Sequence, residues 1–518
     1  MDSAARHILD LDRRGLLRGA TALAALAAMA KPARGDDRLR ENPFTLGVAS
    51  GEPRPDGIVL WTRLTGVAAP VEVTWDIAAD PGFARVLRSG TEIAHAAEGH
   101  SLHVVLTGLP PASTLFYRFR AGGHESAAGR TRTAPPPGAD TALRFVNAGC
   151  QHFEHGHFTA WRHIAEEPID FVFHYGDYIY EYRGLRPEDG GWAARARVRQ
   201  HEGGETWRLE DYRARHAQYR ADPDLQAAHA AHPFIVSYDD HEVNNDWAGG
   251  APPDVARRPE AIPPEVFALR RTAALQAWWE AMPLPRSVLP RGEEITAYRR
   301  FRFGRHLALH ALDTRRFRDA QPCGGRGSCE AIDRPDAQML GTAQERWLID
   351  GLGAARDATW QVLAQQVPMM RRVLGDGRLS LDKWDGYPAA RARLLEAVGR
   401  QRIGGAVSLA GDVHRAYAAT LQAEPRDIAS PAVATEFTAT SITSEGDGSD
   451  VQGTPAVMRN NHAIAFYGDR RGYTLHEAGP AHFGAVFRAL PFVSRPGAPV
   501  VDQARFMVEP GRPGVNRA

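Results

Sequence analysis

R-F-V-N-A-G-C-Q (144–151), an amphipathic connector, and D-F-V-F-H-Y-G-D-Y-I-Y-E-Y (170–182) together decide how this chain folds. The apolar runs Phe145–Ala148 and Phe171–Tyr175 have the length of buried strands. Each stops at a glycine followed by a residue able to bind a metal ion, Cys150 in the first case and Asp177 in the second. Between them Phe158, Trp161, Ile164 and Ala165 recur at helical spacing. Strand, helix and strand in that order predict a β-α-β unit, whose ligand-bearing residues gather at the carboxyl ends of parallel strands. That edge is the expected place for chemistry.

Downstream the alternation continues. Apolar runs at Phe234–Tyr238, Leu307–Leu312, Trp360–Val367, Ala406–Ala410 and Phe437–Ile442 alternate with helical patterns, which predicts an α/β domain over 141–518. From about 190 to 289 the pattern is mainly helical, with E-D-Y-R-A-R-H-A-Q-Y-R and V-F-A-L-R-R-T-A-A-L-Q-A-W-W-E, so a helical insertion is expected on one side of the site. Upstream, short segments of period two (G-I-V-L-W-T-R-L, V-E-V-T-W-D-I, L-H-V-V-L-T-G-L, T-L-F-Y-R-F-R) predict an N-terminal, roughly immunoglobulin-like β-sandwich over 42–132. It holds none of the residue types of a catalytic site and reads as a packing or presentation domain. T-A-P-P-P-G (Thr133–Gly138) marks a linker over 133–140.

Composition narrows the function. Hydrophobic residues at 43% and charged residues at 24% exclude a disordered or fibrous chain, and 62 basic against 62 acidic residues leave no electrostatic footprint for a nucleic-acid backbone. The only lysines are Lys31 and Lys383, and neither a P-loop, G-x-S-x-G nor H-E-x-x-H occurs. Arg13 and Arg14 precede a Leu/Ala run through Ala30 that is too short and too Ala-rich to span a bilayer. This order predicts a twin-arginine signal peptide over 1–30, cleaved near Ala28-Met29-Ala30. The twin-arginine export machinery is then a partner, the mature chain has no transmembrane helix, and it works in the periplasm or outside the cell. In such an oxidising compartment Cys323 and Cys329, close together in C-G-G-R-G-S-C, are able to bond to each other, leaving Cys150 as the odd thiol.

Four strand ends carry candidate ligands: G-C at Cys150, G-D-Y-I-Y at Asp177 and Tyr180, Y-D-D-H-E-V-N-N-D from Asp239 to Asp246, and G-D-V-H at Asp412 and His414. Each alone is an ordinary turn signal. Carboxylates and amides suit hard cations, whereas thiolate, phenolate and imidazole suit iron, so the set divides into two neighbouring sites that Asp177 can bridge.

In the order C-Q, G-D-Y-I-Y-E-Y, D-D-H-E-V, W-D-G-Y-P (384–388), G-D-V-H and E-F-T-A-T-S-I-T-S (436–444), the chain resembles the PhoD-type alkaline phosphatase and phosphodiesterase family. The opening N-P-F-T-L-G-V-A-S-G-E-P (42–53) extends the likeness. The resemblance implies a calcineurin-like metallophosphoesterase core, two sheets flanked by helices, with Fe(3+) and Ca(2+) in the site. Carried over residue by residue, it puts Cys150, Asp177, Tyr180 and His414 on iron, and Asp177, Asp240, an Asn and Asp412 on calcium. Two asparagines follow D-D-H-E-V, and Asn245 is favoured over Asn244. The G-D-Y-I-Y spacing is also similar to purple acid phosphatases, but the thiol, and D-D-H-E where those enzymes have G-N-H-E, fit the PhoD type better.

By the same resemblance His241 faces the phosphate, as the catalytic group that stabilises charge or protonates a leaving alkoxide. Asp239 and Glu242 are expected to orient the loop. The string His152, His155, His157 and His163 looks like a zinc site, yet is expected to be helix-start surface and support. The reading is an exported phosphoester hydrolase in which a metal-bound hydroxide attacks a phosphomonoester or phosphodiester in line. Phospholipase D-like diester cleavage is one alternative. A non-catalytic cell-envelope-binding protein is another, disfavoured because all seven ligand positions are filled by residues able to coordinate.

Overall fold

A computed structural model describes residues 39–252, 262–325 and 327–518. The expected signal peptide over 1–30 lies outside the described residues. Parallel strands Leu143–Ala148, Phe171–His174 and Pro233–Val236 lie side by side in a ten-stranded sheet. Leu307–Ala311, Trp360–Ala364, Ala406–Ala410 and Ala432–Thr438 form the parallel part of a seven-stranded sheet. The connector after Cys150 folds as a helix, Thr159–Glu166, burying Trp161 and Ile164. All seven strands are near-continuous apolar runs because both of their faces are covered.

The sheets pack face to face across an aromatic layer. Phe145, Phe171, Phe173 and Ile235 of the first meet Phe301, Leu309, Val362, Val407 and Phe437 of the second. Phe171 stacks on Phe145 at 4.7 Å and on Phe303 at 4.6 Å. Full burial of each such side chain contributes about 1.5–3 kcal/mol, so this layer fixes how the two sets of strand ends face each other. Helices cover both outer faces: Thr159–Glu166, Leu209–Arg220 and Pro264–Ala281 on one side, Gly341–Ala354 and Pro388–Arg400 on the other. No helix among the described residues is long and apolar enough to cross a membrane.

The N-terminal segment differs from a free-standing sandwich. Val48–Arg54 runs parallel to Pro233–Val236, with Ser50 opposite Pro233, and carries Gly57–Arg63 and Ser101–Leu106 into the ten-stranded sheet. The remaining strands, Val71–Ala78, Val86–Ala94, Thr114–Ala121, His124–Glu125 and Gly129–Arg132, make a separate five-stranded sheet. The two layers enclose Leu60, Val73, Ile77, Val104, Leu115 and Phe119. One of these two layers is therefore the edge of the ten-stranded sheet, because the open backbone edge of Pro233–Val236 takes a partner. That strand also divides the segment expected to be a helical insertion. Cys323 and Cys329 are disulfide-bonded, and Cys150 is the free, buried thiol.

Candidate metal centre

At the carboxyl ends of the strands the backbone turns sharply. Cys150, Asp177, Asp412 and His414 all adopt left-handed conformations, with φ of 51°, 53°, 66° and 55°. For residues with a Cβ this costs of order 1 kcal/mol or more, and such strain persists where surrounding structure imposes it. The glycines before two of these residues let the sheets close up. A Cβ on Gly149 or Gly411 would sit 2.5 Å or 2.1 Å from ring atoms of Tyr175, which lies between them and donates from its hydroxyl to Thr440 O.

The first cluster joins Cys150, Asp177, Tyr180 and His414. Cys150 Sγ lies 3.2 Å from Asp177 Oδ2, the Tyr180 hydroxyl donates to that same oxygen at 2.9 Å, and His414 Nε2 is 3.2 Å from the Tyr180 oxygen. Ser444 Oγ, 2.6 Å from the Tyr180 hydroxyl, donates to Cys150 O. Glu445 lies 3.3 Å from His414 Nδ1 and is itself held by Arg415, which leaves His414 Nε2 turned to the cluster. Burial, then the Asp177 charge, pushes the Cys150 thiol and the Tyr180 phenol well up. Burial also raises Asp177, with Asp240, Glu242 and Asp412 adding to it against the pull of His241. Groups crowded this way ionise together only around a cation.

The second cluster lies on the other side of Asp177. Asp239, Asp240 and Asp412 bring carboxylate oxygens within 4.8 Å of one another, as do Asp240, Asp246 and Asp382. Arg315, fully buried, donates to Asp239 at 2.5 Å, to Asp382 at 2.9 Å and to Asp412 at 3.1 Å, while Lys383 pairs with Asp382 and Asp412. Burial alone would raise Asp240, but Arg315, His241 and Lys383 hold it below the usual carboxylate range. Burial and the charges of Asp382 and Asp240 lift Asp246 to about 6. Asp240 Oδ1 is buried without a hydrogen bond among the described residues, its guanidinium neighbour Arg315 standing 3.5 Å away. An acceptor-only set with an orphaned oxygen suits a hard cation, and the S, N and O donors of the first cluster suit iron.

His241 sits over the junction. Its ring stacks on Tyr180 at 4.0 Å, and Nδ1 is 2.8 Å from Glu181 Oε2. Burial opposes the charged imidazole, but Asp177 and Glu181 overcome this and raise His241 well above its ordinary value. Glu181 also accepts from Asn244 Nδ2 and Asn245 N, both at 2.8 Å. The Asn244 amide is further engaged by Arg270, whereas the Asn245 side chain makes no hydrogen bond among the described residues. Glu242 accepts from the backbone of Asp177, Tyr178 and Asp239, and Asp239 anchors Arg315. Both orient the loop.

The histidine string does not converge. His152 is buried and accepts from Glu154 N, and His155 stacks on it at 3.7 Å, while His163 bonds Ala498 O. Sequence reasoning missed Arg315, Asp382, Lys383, Glu181, Ser444 and Glu445. Arg315 follows the Leu307–Ala311 strand as the ligands follow theirs, and Lys383 is the one lysine among the described residues.

Residues 145–487 match the model of the PhoD-like phosphatase family, and residues 28–135 match that of the PhoD-like phosphatase N-terminal domain. Alkaline phosphatase D of Bacillus subtilis (strain 168) is 39% identical over 98% of this chain and 89% of its own length. A solved structure of PhoD superposes with a TM-score of 0.87 at 39% identity, covering 93% of each chain. A purple acid phosphatase from yellow lupin (Lupinus luteus) seeds aligns with a TM-score of 0.57 over 89% of this chain and 74% of its own, at 14% identity, and shares the fold alone.

Proposed function

This chain belongs to the PhoD-like phosphatase family, and from that premise we propose how its residues divide the work of phosphoester hydrolysis. That it is a metal-dependent phosphoester hydrolase follows from a relative 39% identical over nearly the whole chain. In our reading Cys150, Asp177, Tyr180 and His414 hold Fe(3+), and Asp177, Asp240, Asn245 and Asp412 hold Ca(2+). When bound, the ions would act as Lewis acids on the phosphoryl oxygens and the leaving oxygen.

The observation that carries this reading is the position of Asp177. Its Oδ2 faces the sulfur and phenol of one donor set, while its Oδ1 lies 3.4 Å from His241 N, on the side of the carboxylate set. The chain's own groups do the rest. Glu181 fixes the His241 ring and favours its charged form, so that its other nitrogen presents a proton to the phosphate or to a departing alkoxide. Arg315 and Lys383 hold the carboxylates of Asp239, Asp382 and Asp412 in place against their mutual repulsion. The N-terminal Arg13-Arg14 and the apolar run after it support export by the twin-arginine route into the periplasm or medium.

Metal analysis and turnover on a monoester and a bis-ester, with and without calcium and chelator, test the assignment. We expect one iron and tightly held calcium, with activity lost in chelator and restored by calcium. Free phosphate from the monoester and cleavage of the bis-ester separate the two substrate classes. Full activity in chelator without bound calcium would overturn the calcium set.

A further inference from the structure

Val86–Ala94, V-L-R-S-G-T-E-I-A, is an edge strand of the five-stranded sheet: it pairs with Val71–Ala78 on one side and, among the described residues, with no strand on the other. The pairing is regular from Arg88 to Ala94 and shifts by one residue at Leu87. All of the strand except Gly90 and Ala94 is exposed, including the apolar side chains of Val86 at 40%, Leu87 at 38% and Ile93 at 38%. Ser89 donates to Asp76 Oδ1 of the neighbouring strand and Arg88 to Thr107 O, but neither Arg88 nor Glu92 makes an ion pair among the described residues.

An open edge of this length invites a second strand unless a device blocks it. Other sheet ends carry such devices. Arg512–Arg517, at one end of the ten-stranded sheet, contains Pro513 and has an arginine at each terminus, and Arg299–Phe303, at one end of the seven-stranded sheet, sets Arg300 and Arg302 about its centre. Laid antiparallel on a second copy of itself, either strand would face arginine with arginine. Val86–Ala94 does the opposite. Turned about Gly90, it places Arg88 opposite Glu92, Ser89 opposite Thr91, Leu87 opposite Ile93 and Val86 opposite Ala94. Opposite charges, hydroxyl pairs and apolar pairs directly across an antiparallel ladder are the contacts that stabilise it. Gly90 at the centre has no side chain to hold two copies apart, and the chain itself requires the glycine, since a Cβ there would lie 2.3 Å from Trp75 Cζ2. A two-fold axis through Gly90 makes each of the flanking contacts twice.

We propose that Val86–Ala94 is the seam of a symmetric dimer, in which a second copy of this chain lays its own Val86–Ala94 antiparallel along the open edge and joins the two five-stranded sheets into one. The occupant is a second copy because the strand's order of charged, hydroxyl and apolar residues matches its own reverse. None of these residues belongs to the metal centre, so the seam stands apart from the assignments made there. A single strand pair is a small interface, and the dimer therefore forms and dissociates with concentration.

Sedimentation velocity over a concentration series tests the seam in the purified protein, in Arg88→Glu, in Glu92→Arg and in the variant carrying both changes, with circular dichroism as the check on folding. The unaltered chain should pass from monomer to dimer as its concentration rises. Each single reversal sets like charges opposite each other at two places and should raise the dimer Kd by roughly tenfold or more, and the double reversal should restore it. Mixing the two single variants should yield a dimer that neither forms alone, because one strand is then acidic at both positions and the other basic at both. An unaltered chain still monomeric at about 0.5 mM overturns the proposal. A dimer that no variant weakens overturns it too, since another surface then joins the copies. Single variants rescued neither by the second change nor by mixing have lost something other than charge pairing, and that result also overturns the seam.

Discussion

The sulfur of Cys150 and the Oδ2 of Asp177 stand 3.2 Å apart although each residue closes a different strand, and both hold left-handed backbone to meet there. Together with Tyr180 and His414 they form the donor set proposed for iron. Cys150→Ala should therefore lose iron, any visible charge-transfer colour and most turnover, while Tyr180→Phe should shift or bleach the colour and keep more of the metal. Metal analysis and absorption spectra of the two variants check this, and an iron-loaded, coloured Cys150→Ala protein would reduce the thiol to packing.

Glu181 is wholly buried and holds His241 Nδ1 at 2.8 Å while accepting from two further donors. Replacing it by Gln keeps the volume and removes the charge that favours the imidazolium. The kcat of Glu181→Gln should drop by about 10²-fold with iron and calcium retained, as read by steady-state kinetics beside metal content. Unchanged kcat would remove His241 from the proposed proton role.

His476 is buried among Phe145, Phe437 and Phe483. Burial lowers its pKa to about 3. The unfolded chain titrates near the ordinary value of about 6.5, so it binds the extra proton first as pH falls. This group's contribution is intact above pH 6.5 and is lost at up to about 1.4 kcal/mol per pH unit on the way down to about 3. Denaturant midpoints of the parent should therefore decline more steeply below pH 6.5 than those of His476→Phe. Parallel curves would show that the ring gains no proton on unfolding.

Arg13→Lys together with Arg14→Lys should strand the precursor in the cytoplasm, because the twin-arginine receptor reads the pair itself and not its charge. Fractionation and blotting follow the precursor. Undiminished export of the Lys-Lys form would point to another route.

The strand ends were legible because burial on both faces writes an apolar run, and the turn that follows writes a glycine and a polar residue. Gly149-Cys150, Gly176-Asp177 and Gly411-Asp412 each carry that signature within three residues. Arg315 was not legible: its four carboxylate neighbours come from three other segments and meet it only after the sheets pack. Lys383 had a usable signal in its rarity, which composition exposes and spacing does not. Glu181 sat inside the deciding stretch, yet next to two tyrosines it reads as the polar edge of a strand. The allegiance of Val48–Arg54 was hidden for another reason. Alternating residues show that a segment pairs, and nothing in them names the partner.

That pairing sets a timetable for the newborn chain. Ser50 leaves the ribosome early but its partner Pro233 much later, so the amino-terminal strands wait, unpaired along one edge, through the synthesis of everything between. Contacts of such sequence separation form slowly, and an unpaired edge invites other chains. Translation beyond residue 236 is thus the earliest moment at which Val48–Arg54 can join the large sheet, whose strands over 471–517 come later still, and a helper that shields the waiting strands would be needed before that moment.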